Sequence, residues 1–136
     1  MAVDPDVRRF RPVWPDLATL PKGELRFVYD RLTDTLFADF YASVRPTATE
    51  PLDVGDRDYL FVRVDPETSE VVGLQIEDFR SYALAIHPDF VTAFELAELR
   101  GFNDLEAARL RRRARGRAQG QADGIAFIAA VERASA

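Results

Sequence analysis

The chain has 136 residues, of which 47% are hydrophobic and 30% charged, and its formal net charge is −5. This length suits one ordinary domain with a real core, and the composition argues against intrinsic disorder over most of the chain. The absence of cysteine excludes disulfides, thiolate metal sites and cysteine nucleophiles. No signal peptide is visible after Met1 and no apolar run is long enough to cross a bilayer, so we expect a cytoplasmic protein.

The charge is unevenly distributed along the sequence. Residues 1–99 carry 10 basic and 19 acidic side chains, a net of −9. Residues 100–117 carry seven arginines against Asp104 and Glu106, a net of +5, and residues 118–136 add −1. An acidic body therefore bears a basic segment near its C-terminal end, which matters for any prediction about partners.

The first half of the chain predicts strands. Residues 1–23 contain four prolines and are expected to form an extended arm, with one short helical turn at residues 16–20. From Glu24 onwards, apolar residues alternate with polar ones and turn-forming residues separate the runs. This pattern predicts strands at residues 24–30, 35–41, about 49–54, 58–65 and 71–76. Residues 24–78 are therefore expected to form an antiparallel β-meander of four to five strands.

The second half, residues 79–136, predicts three to four helices. Helical spacing of apolar residues indicates helices near 78–86 and 88–100, with Pro88 at the first position of the second helix and Gly101 ending it. Asn103 and Glu106 resemble a capping box that opens a helix from about residue 104. Asp123 is expected to cap a last helix. The order of strands followed by helices predicts a single α+β domain over residues 1–136, with the helices packed on one face of the sheet.

Five segments of the strand region carry a family resemblance. They are Tyr29-Asp30, Asp34-Thr35-Leu36, Asp53-Val54-Gly55-Asp56, Leu60 to Asp65 and Val71-Val72-Gly73-Leu74-Gln75-Ile76. With these segments, residues 25–78 resemble the DUF2283 domain, a family of small bacterial proteins of unknown function. The resemblance implies an interaction scaffold without catalytic residues, similar to the small partner proteins of toxin–antitoxin-like gene pairs.

Acidic residues cluster at the predicted turns. They are Asp30, Asp34, Asp53, Asp56, Asp58 and Asp65. We interpret them as turn and sheet-edge residues; the alternative is an acid–base pair or ligands for a hard cation. The only histidine, His87, either fills a corner before Pro88 or acts as a general base with Asp89. No activated nucleophile and no phosphate-binding glycine loop is present. The sequence therefore predicts no catalytic residue, no metal site and no cofactor.

Six arginines within nine residues form the most unusual feature of the sequence. They are Arg109, Arg111, Arg112, Arg113, Arg115 and Arg117. Arginine suits phosphate and partner contacts, but at about 100° per residue these positions surround a helix and do not share one face. Pairing with the acidic body is the alternative interpretation.

These observations predict a non-catalytic protein-interaction module that forms a homodimer or binds another protein. The surfaces expected to dimerise are the strand edges and an apolar C-terminal helix carrying Ile125, Phe127, Ile128 and Val131. One alternative is a nucleic-acid-associated or antitoxin-like regulator that uses the arginine segment. Another is an enzyme that uses the carboxylates of the strand region with His87.

Overall fold

The structure is a computed structural model that describes residues 11–43, 45–52, 57–113 and 120–134, with the backbone alone for residues 111–113, 120 and 121. Its strands are β1 (Arg26–Asp30), β2 (Thr35–Asp39), β3 (Ala48–Pro51), β4 (Leu60–Val64), β5 (Val71–Ile76) and β6 (Glu98–Arg100). Its α-helices are α1 (Leu84–Ile86), α2 (Val91–Leu96), α3 (Asp104–Arg113) and α4 (Gly120–Ala134). Short 3₁₀ turns cover Leu17–Thr19 and Pro88–Phe90, and a π-helical turn covers Phe79–Ala83. The predicted α+β class is confirmed.

The described strands form one six-stranded sheet in the order β3-β4-β5-β2-β1-β6. The hairpins β1–β2 and β4–β5 and the pair β3–β4 are antiparallel neighbours, as a meander requires. The order departs from a meander at one place, because β2 pairs with β5 and not with β3. The connection from β2 to β3 therefore crosses the β4–β5 hairpin to reach the edge of the sheet.

The sixth strand corrects the prediction of a helix over residues 88–100. Helix α2 ends at Leu96, and Ala97 has an extended backbone with ψ of 144°. Residues 98–100 then pair in parallel with β1, which makes the sheet mixed. The free edge of β1 favours this pairing because its backbone groups gain partners. Gly101, expected to end a helix, instead turns the chain after the strand with φ of +82°.

Other predicted helix signals are confirmed in part. The capping box forms, because Asn103 Oδ1 accepts the Glu106 N–H at 2.8 Å and Glu106 Oε1 accepts the Asn103 N–H at 3.3 Å. Asp16 caps the 3₁₀ turn that was predicted near residues 16–20. The last helix begins at Gly120, so that Asp123 lies in its first turn and not at the predicted N-cap position.

The helices pack on one face of the sheet and bury a continuous core there. Phe27 on β1 meets Phe127 of α4 edge-on, with ring centroids 5.6 Å apart, and Phe127 meets Phe90 at 5.1 Å. Gly124 lets α4 approach the sheet, because a Cβ at this position would lie 2.6 Å from Leu25 Cδ2. The buried side chains on this face of the sheet include Phe27, Tyr29, Leu36, Ala38, Leu60, Val62, Leu74 and Ile76. The opposite face is therefore the one on which the strands present polar residues.

Candidate functional site

We call the sheet face opposite the helices the open face. Successive side chains of a strand point to opposite faces, so the register fixes which residues share it. They are Thr49 and Pro51 on β3, Phe61 and Arg63 on β4, Gly73 and Gln75 on β5, Thr35, Phe37 and Asp39 on β2, Arg26, Val28 and Asp30 on β1, and Glu98 and Arg100 on β6. At these strand positions three arginines balance three carboxylates on a chain of net charge −5, and Glu77, just beyond β5, adds a carboxylate 3.0 Å from the Gln75 amide nitrogen.

An apolar row runs across the middle of the open face. Val28, Phe37, Phe61 and Pro51 form this row, and the polar Gln75 of β5 lies in register between the two phenylalanines. Val28 is 5% exposed, whereas Phe37 and Phe61 are partly exposed. Partly exposed aromatic rings on a sheet face are a feature that protein-binding surfaces share.

A charged row lies beside the apolar row. In register it contains Arg26, Asp39, Gly73, Arg63 and Thr49. Arg63 Nη1 lies 3.2 Å from Asp39 Oδ1, although β5 separates the two strands that carry these residues. The ion pair lies above Gly73, where a Cβ would be in ordinary van der Waals contact with both residues, 3.6 Å from Asp39 Oδ1 and from Arg63 Cβ. The contact that requires a glycine here is the one with the backbone of β2, because the same Cβ would lie 2.7 Å from the Ala38 carbonyl oxygen.

Arg63 also holds the connection between β2 and β3. Its Nη2 lies 3.4 Å from Thr47 Oγ1, so one guanidinium contacts residues at the start and at the end of this connection. At the start of the connection, the Tyr41 hydroxyl donates to Glu70 Oε1 at 3.2 Å and the Ala42 N–H donates to Glu24 Oε1 at 3.0 Å. Burial and the nearby Glu70 carboxylate raise the pKa of the Tyr41 phenol.

A cavity of about 450 Å³, open to solvent, lies beside the charged row and the β2–β3 connection. The residues that line it include Glu24, Arg26, Asp39, Tyr41, Ser43, Arg45, Thr47 and Arg63. Arg45 places its guanidinium carbon 4.9 Å from the centre of the Tyr41 ring. This volume falls within the range of small-ligand sites, and the lining offers three guanidinium groups and three hydroxyls. The arrangement suits recognition by hydrogen bonds and charge.

Asp34 joins two distant segments and has a structural role. Its carboxylate accepts hydrogen bonds from the Tyr29 hydroxyl at 2.6 Å and from the backbone N–H groups of Arg80 and Ser81 at 2.9 and 3.1 Å. The Ser81 hydroxyl donates a fourth at 2.7 Å. Burial raises the pKa of this carboxyl, but the hydrogen bonds outweigh burial and hold the pKa below its usual value of 3.8. Asp34 thus caps the helical segment that begins at Phe79.

The other predicted acidic residues do not gather into one site. Asp30 accepts the Leu32 N–H at 3.0 Å and Asp65 accepts the Glu67 N–H at 2.8 Å, so both have the predicted turn role. Asp58 is exposed. Asp53 and Asp56 lie outside the described residues. Among the residues that the structure describes, no three His, Asp or Glu side chains form a group that could hold a metal ion.

His87 forms its hydrogen bond with a tyrosine. Its Nε2 lies 2.6 Å from the Tyr59 hydroxyl, and its ring stacks on Phe90 with centroids 4.4 Å apart. Burial lowers the pKa of His87, and the negative charge of Asp89 partly opposes this. Tyr59 is 1% exposed. The structure thus places His87 in a corner beside an aromatic cluster, in agreement with the structural interpretation of this residue.

The predicted dimer surfaces differ from those that the structure offers. Phe127, Ile128 and Val131 are at most 3% exposed, so the C-terminal helix uses its apolar side in the core of its own chain. On the edge strand β3, the Leu52 N–H donates a hydrogen bond to the Leu60 carbonyl of β4. In an antiparallel pair, alternate residues bond to the neighbouring strand, so the backbone groups of Thr49 and Pro51 point away from β4 towards the free edge. Proline has no N–H, so this edge is poorly suited to adding another strand.

The arginine segment lies largely outside the described residues. Arg109 is exposed on α3, and Arg111, Arg112 and Arg113 continue the same helix, whose side chains beyond residue 110 are not described. Arg115 and Arg117 fall outside the described residues. The roles considered for this segment therefore stay predictions.

The residues around the cavity were not selected from the sequence, because they come from separate stretches near residues 24–26, 39–47, 63 and 72. The one signal is Gly73, a glycine inside a predicted strand, since such a residue often marks a close approach.

In the described part of the chain, no helix has both the length and the apolar character needed to span a membrane. Comparison with known protein families, with curated proteins and with proteins of known structure found no match. The similarity to the DUF2283 domain therefore stays a prediction.

Proposed function

We propose that this protein is a non-catalytic interaction module that forms a homodimer through the open face. The observation that carries the proposal is the apolar row with Phe37 and Phe61, bordered by the charged row. An apolar centre with a polar border is the usual anatomy of a protein interface, and aromatic residues and arginine are enriched in such interfaces.

A second copy of the chain is the partner that the charges favour. The protein as a whole carries −5, so two copies repel each other on average. The strand positions of the open face carry both signs, with Arg26, Arg63 and Arg100 against Asp30, Asp39 and Glu98. A two-fold axis brings the same patch of both copies together, and a patch that carries both signs can pair with itself. Two acidic chains therefore repel each other less through this face than through the rest of their surface.

The size of the open face sets the expected strength of the dimer. Six strands of about five residues, spaced about 4.8 Å apart, cover roughly 400–500 Å² in projection. Stable complexes bury about 800 Å² on each partner. We therefore expect a dimer that dissociates in the micromolar range and that is sensitive to the loss of a single aromatic side chain.

Light scattering coupled to size-exclusion chromatography tests the proposal across a series of micromolar protein concentrations. The average mass should rise towards that of a dimer as the concentration increases, and Phe61→Thr should shift the protein to the monomer. Val91→Thr is the matched control, because Val91 is 43% exposed on α2 and lies away from the open face. A monomer at all concentrations, or a dimer that Phe61→Thr leaves unchanged, contradicts the proposal.

Two further expectations stay predictions. The regulator alternative depends on the arginine segment, of which Arg109 alone has a described side chain. It predicts salt-dependent nucleic-acid binding that is lost when Arg111, Arg112 and Arg113 are replaced by alanine. A cytoplasmic location is the other, and fractionation of the native host would test it.

A further inference from the structure

We propose that the cavity beneath the β2–β3 connection binds a small organic oxyanion, a carboxylate or a phosphate ester, with Arg45 as its principal ligand. This site lies on the same face as the proposed dimer contact and shares Arg26, Asp39 and Arg63 of the charged row with it, but it does not involve the apolar row. The proposal depends on how the charges that line the cavity are already paired.

The two carboxylates of the lining have partners within the chain. Asp39 pairs with Arg63 at 3.2 Å, and Glu24 accepts the Ala42 N–H at 3.0 Å. Arg26 in turn pairs with Glu98. Arg45 differs, because within the described residues it forms no ion pair and its guanidinium lies over the Tyr41 ring. One positive charge of the cavity is thus left for a ligand.

The groups around Arg45 match an oxyanion in kind and in number. A guanidinium presents paired N–H donors that fit a carboxylate or a phosphate. Ser43 and Thr47 add hydroxyl donors to the same lining, and the hydroxyl of Tyr41 is held by Glu70. Stacking on the Tyr41 ring restricts the Arg45 side chain, so less conformational entropy is lost on binding. With about 450 Å³, the cavity has room for more than the anionic group alone.

Titration followed by ¹H–¹⁵N correlation spectra tests the site with two probes, inorganic phosphate and succinate, at constant ionic strength. Amide shifts should concentrate at residues 41–43, 45 and 47 and saturate, and the two probes show which oxyanion the cavity prefers. Shifts at Phe37 or Phe61 would instead report self-association, so the dimer proposal and this proposal can fail separately.

Three variants sharpen the test. Arg45→Ala should weaken binding by about tenfold, the loss expected when one charge-assisted contact is removed. Glu24→Gln should strengthen binding, because it removes a negative charge from the lining and keeps an oxygen for the Ala42 N–H. Arg57→Ala is the matched control, since Arg57 also stacks on a tyrosine ring, that of Tyr82, outside the cavity.

Arg45 is exposed, so its replacement should leave the spectrum of the free protein otherwise unchanged. Three results overturn the proposal: unsaturated shifts spread over surface arginines, equal binding by Arg45→Ala and the wild type, or equal weakening by Arg57→Ala. An absence of shifts with both probes at millimolar concentration also overturns it.

Discussion

The Tyr29 hydroxyl donates a hydrogen bond of 2.6 Å to the Asp34 carboxylate. This carboxylate connects the turn after β1 with the helical segment after β5. The same carboxylate accepts the N–H groups of Arg80 and Ser81, which begin that segment. A helix start leaves N–H groups without partners inside the helix. Here a residue 46 positions earlier in the chain supplies the acceptor, so sheet and helices are joined by a cap that is distant in sequence.

We expect Asp34→Ala to lower the free energy of unfolding by about 2–3 kcal/mol, because it removes four hydrogen bonds and leaves the buried Tyr29 hydroxyl without an acceptor. The backbone of Asp34 is left-handed, with φ of 52°, which alanine tolerates poorly. Asp34→Asn should cost less, about 1–2 kcal/mol, since asparagine tolerates this backbone and retains one acceptor oxygen. Urea unfolding measures both values.

Asp78→Asn is the control for this substitution. Asp78 is also left-handed, with φ of 49°, and precedes the same helical segment, but its side chain caps nothing there. Its ion pair with Arg57 is half-exposed, so we expect a change below about 0.5 kcal/mol. Equal losses for Asp34→Asn and Asp78→Asn would show that the cap does not stabilise the fold.

The stabilisation by Asp34 should depend on pH. Its pKa is lower in the folded protein than the ordinary 3.8 of the unfolded chain, so the unfolded state binds more protons between these two values. The contribution is therefore complete above about pH 4–5 and is lost as the pH falls through the folded pKa. The difference in unfolding free energy between wild type and Asp34→Asn should shrink in acid. A difference that stays constant down to pH 2 would contradict this assignment.

The contact between His87 and Tyr59 predicts a second pH dependence near neutrality. Because burial lowers the pKa of His87 below 6.5, the folded state favours the neutral ring, whose Nε2 can accept the Tyr59 hydroxyl at 2.6 Å. Stability should be complete above about pH 6.5 and should decline as the pH falls through the lowered pKa. NMR titration of the imidazole gives the pKa, and unfolding at several pH values gives the stability.

His87→Phe separates charge from packing in this corner. Phenylalanine keeps the stacking on Phe90 but does not titrate, so the decline of stability near pH 6 should disappear. Tyr59→Phe, in contrast, keeps the titration and removes the hydrogen bond. If the wild type and His87→Phe lose stability in parallel between pH 7 and pH 5, the His87 ring is not the group responsible.

The sequence predicts those parts of the fold that depend on neighbouring residues. Alternation located strands β1, β2, β4 and β5, and the Asn103–Glu106 capping box formed as expected because its two hydrogen bonds join residues three positions apart. The sequence predicts the end of a helix where β6 lies, because three residues are too few for a periodic pattern and the pairing of β6 with β1 is set by tertiary structure.

The candidate site was harder to predict than the fold. Arg63 and Asp39 are 24 positions apart and lie on strands that are not neighbours, so neither alternation nor spacing indicates their contact. The contact follows from the strand order, in which β5 lies between β4 and β2. At the point where the Arg63 and Asp39 side chains meet above β5, that strand carries Gly73. Local sequence patterns do not determine that order. Gly73 indicates a close approach within a predicted strand, but it does not indicate which two side chains lie above it.

Gly73→Ala tests the close approach of β5 to β2 beneath the charged row. A Cβ at this position would lie 2.7 Å from the Ala38 carbonyl oxygen, and a backbone atom in a paired strand cannot easily move away. We expect β5 and β2 to separate locally, with a loss of roughly 1–3 kcal/mol in unfolding free energy. The methyl group would also lie between Arg63 and Asp39, so amide shifts at residues 39 and 63 should accompany the loss.

Gln75→Ala is the matched control, because residue 75 lies on the same strand and the same face but already carries a Cβ. It should change the unfolding free energy by less than about 0.5 kcal/mol. If Gly73→Ala is as stable as Gln75→Ala, the strands are farther apart in solution than 2.7 Å allows. Such a spacing would leave room for a side chain at residue 73, and the backbone of β5 would not require a glycine beside Ala38.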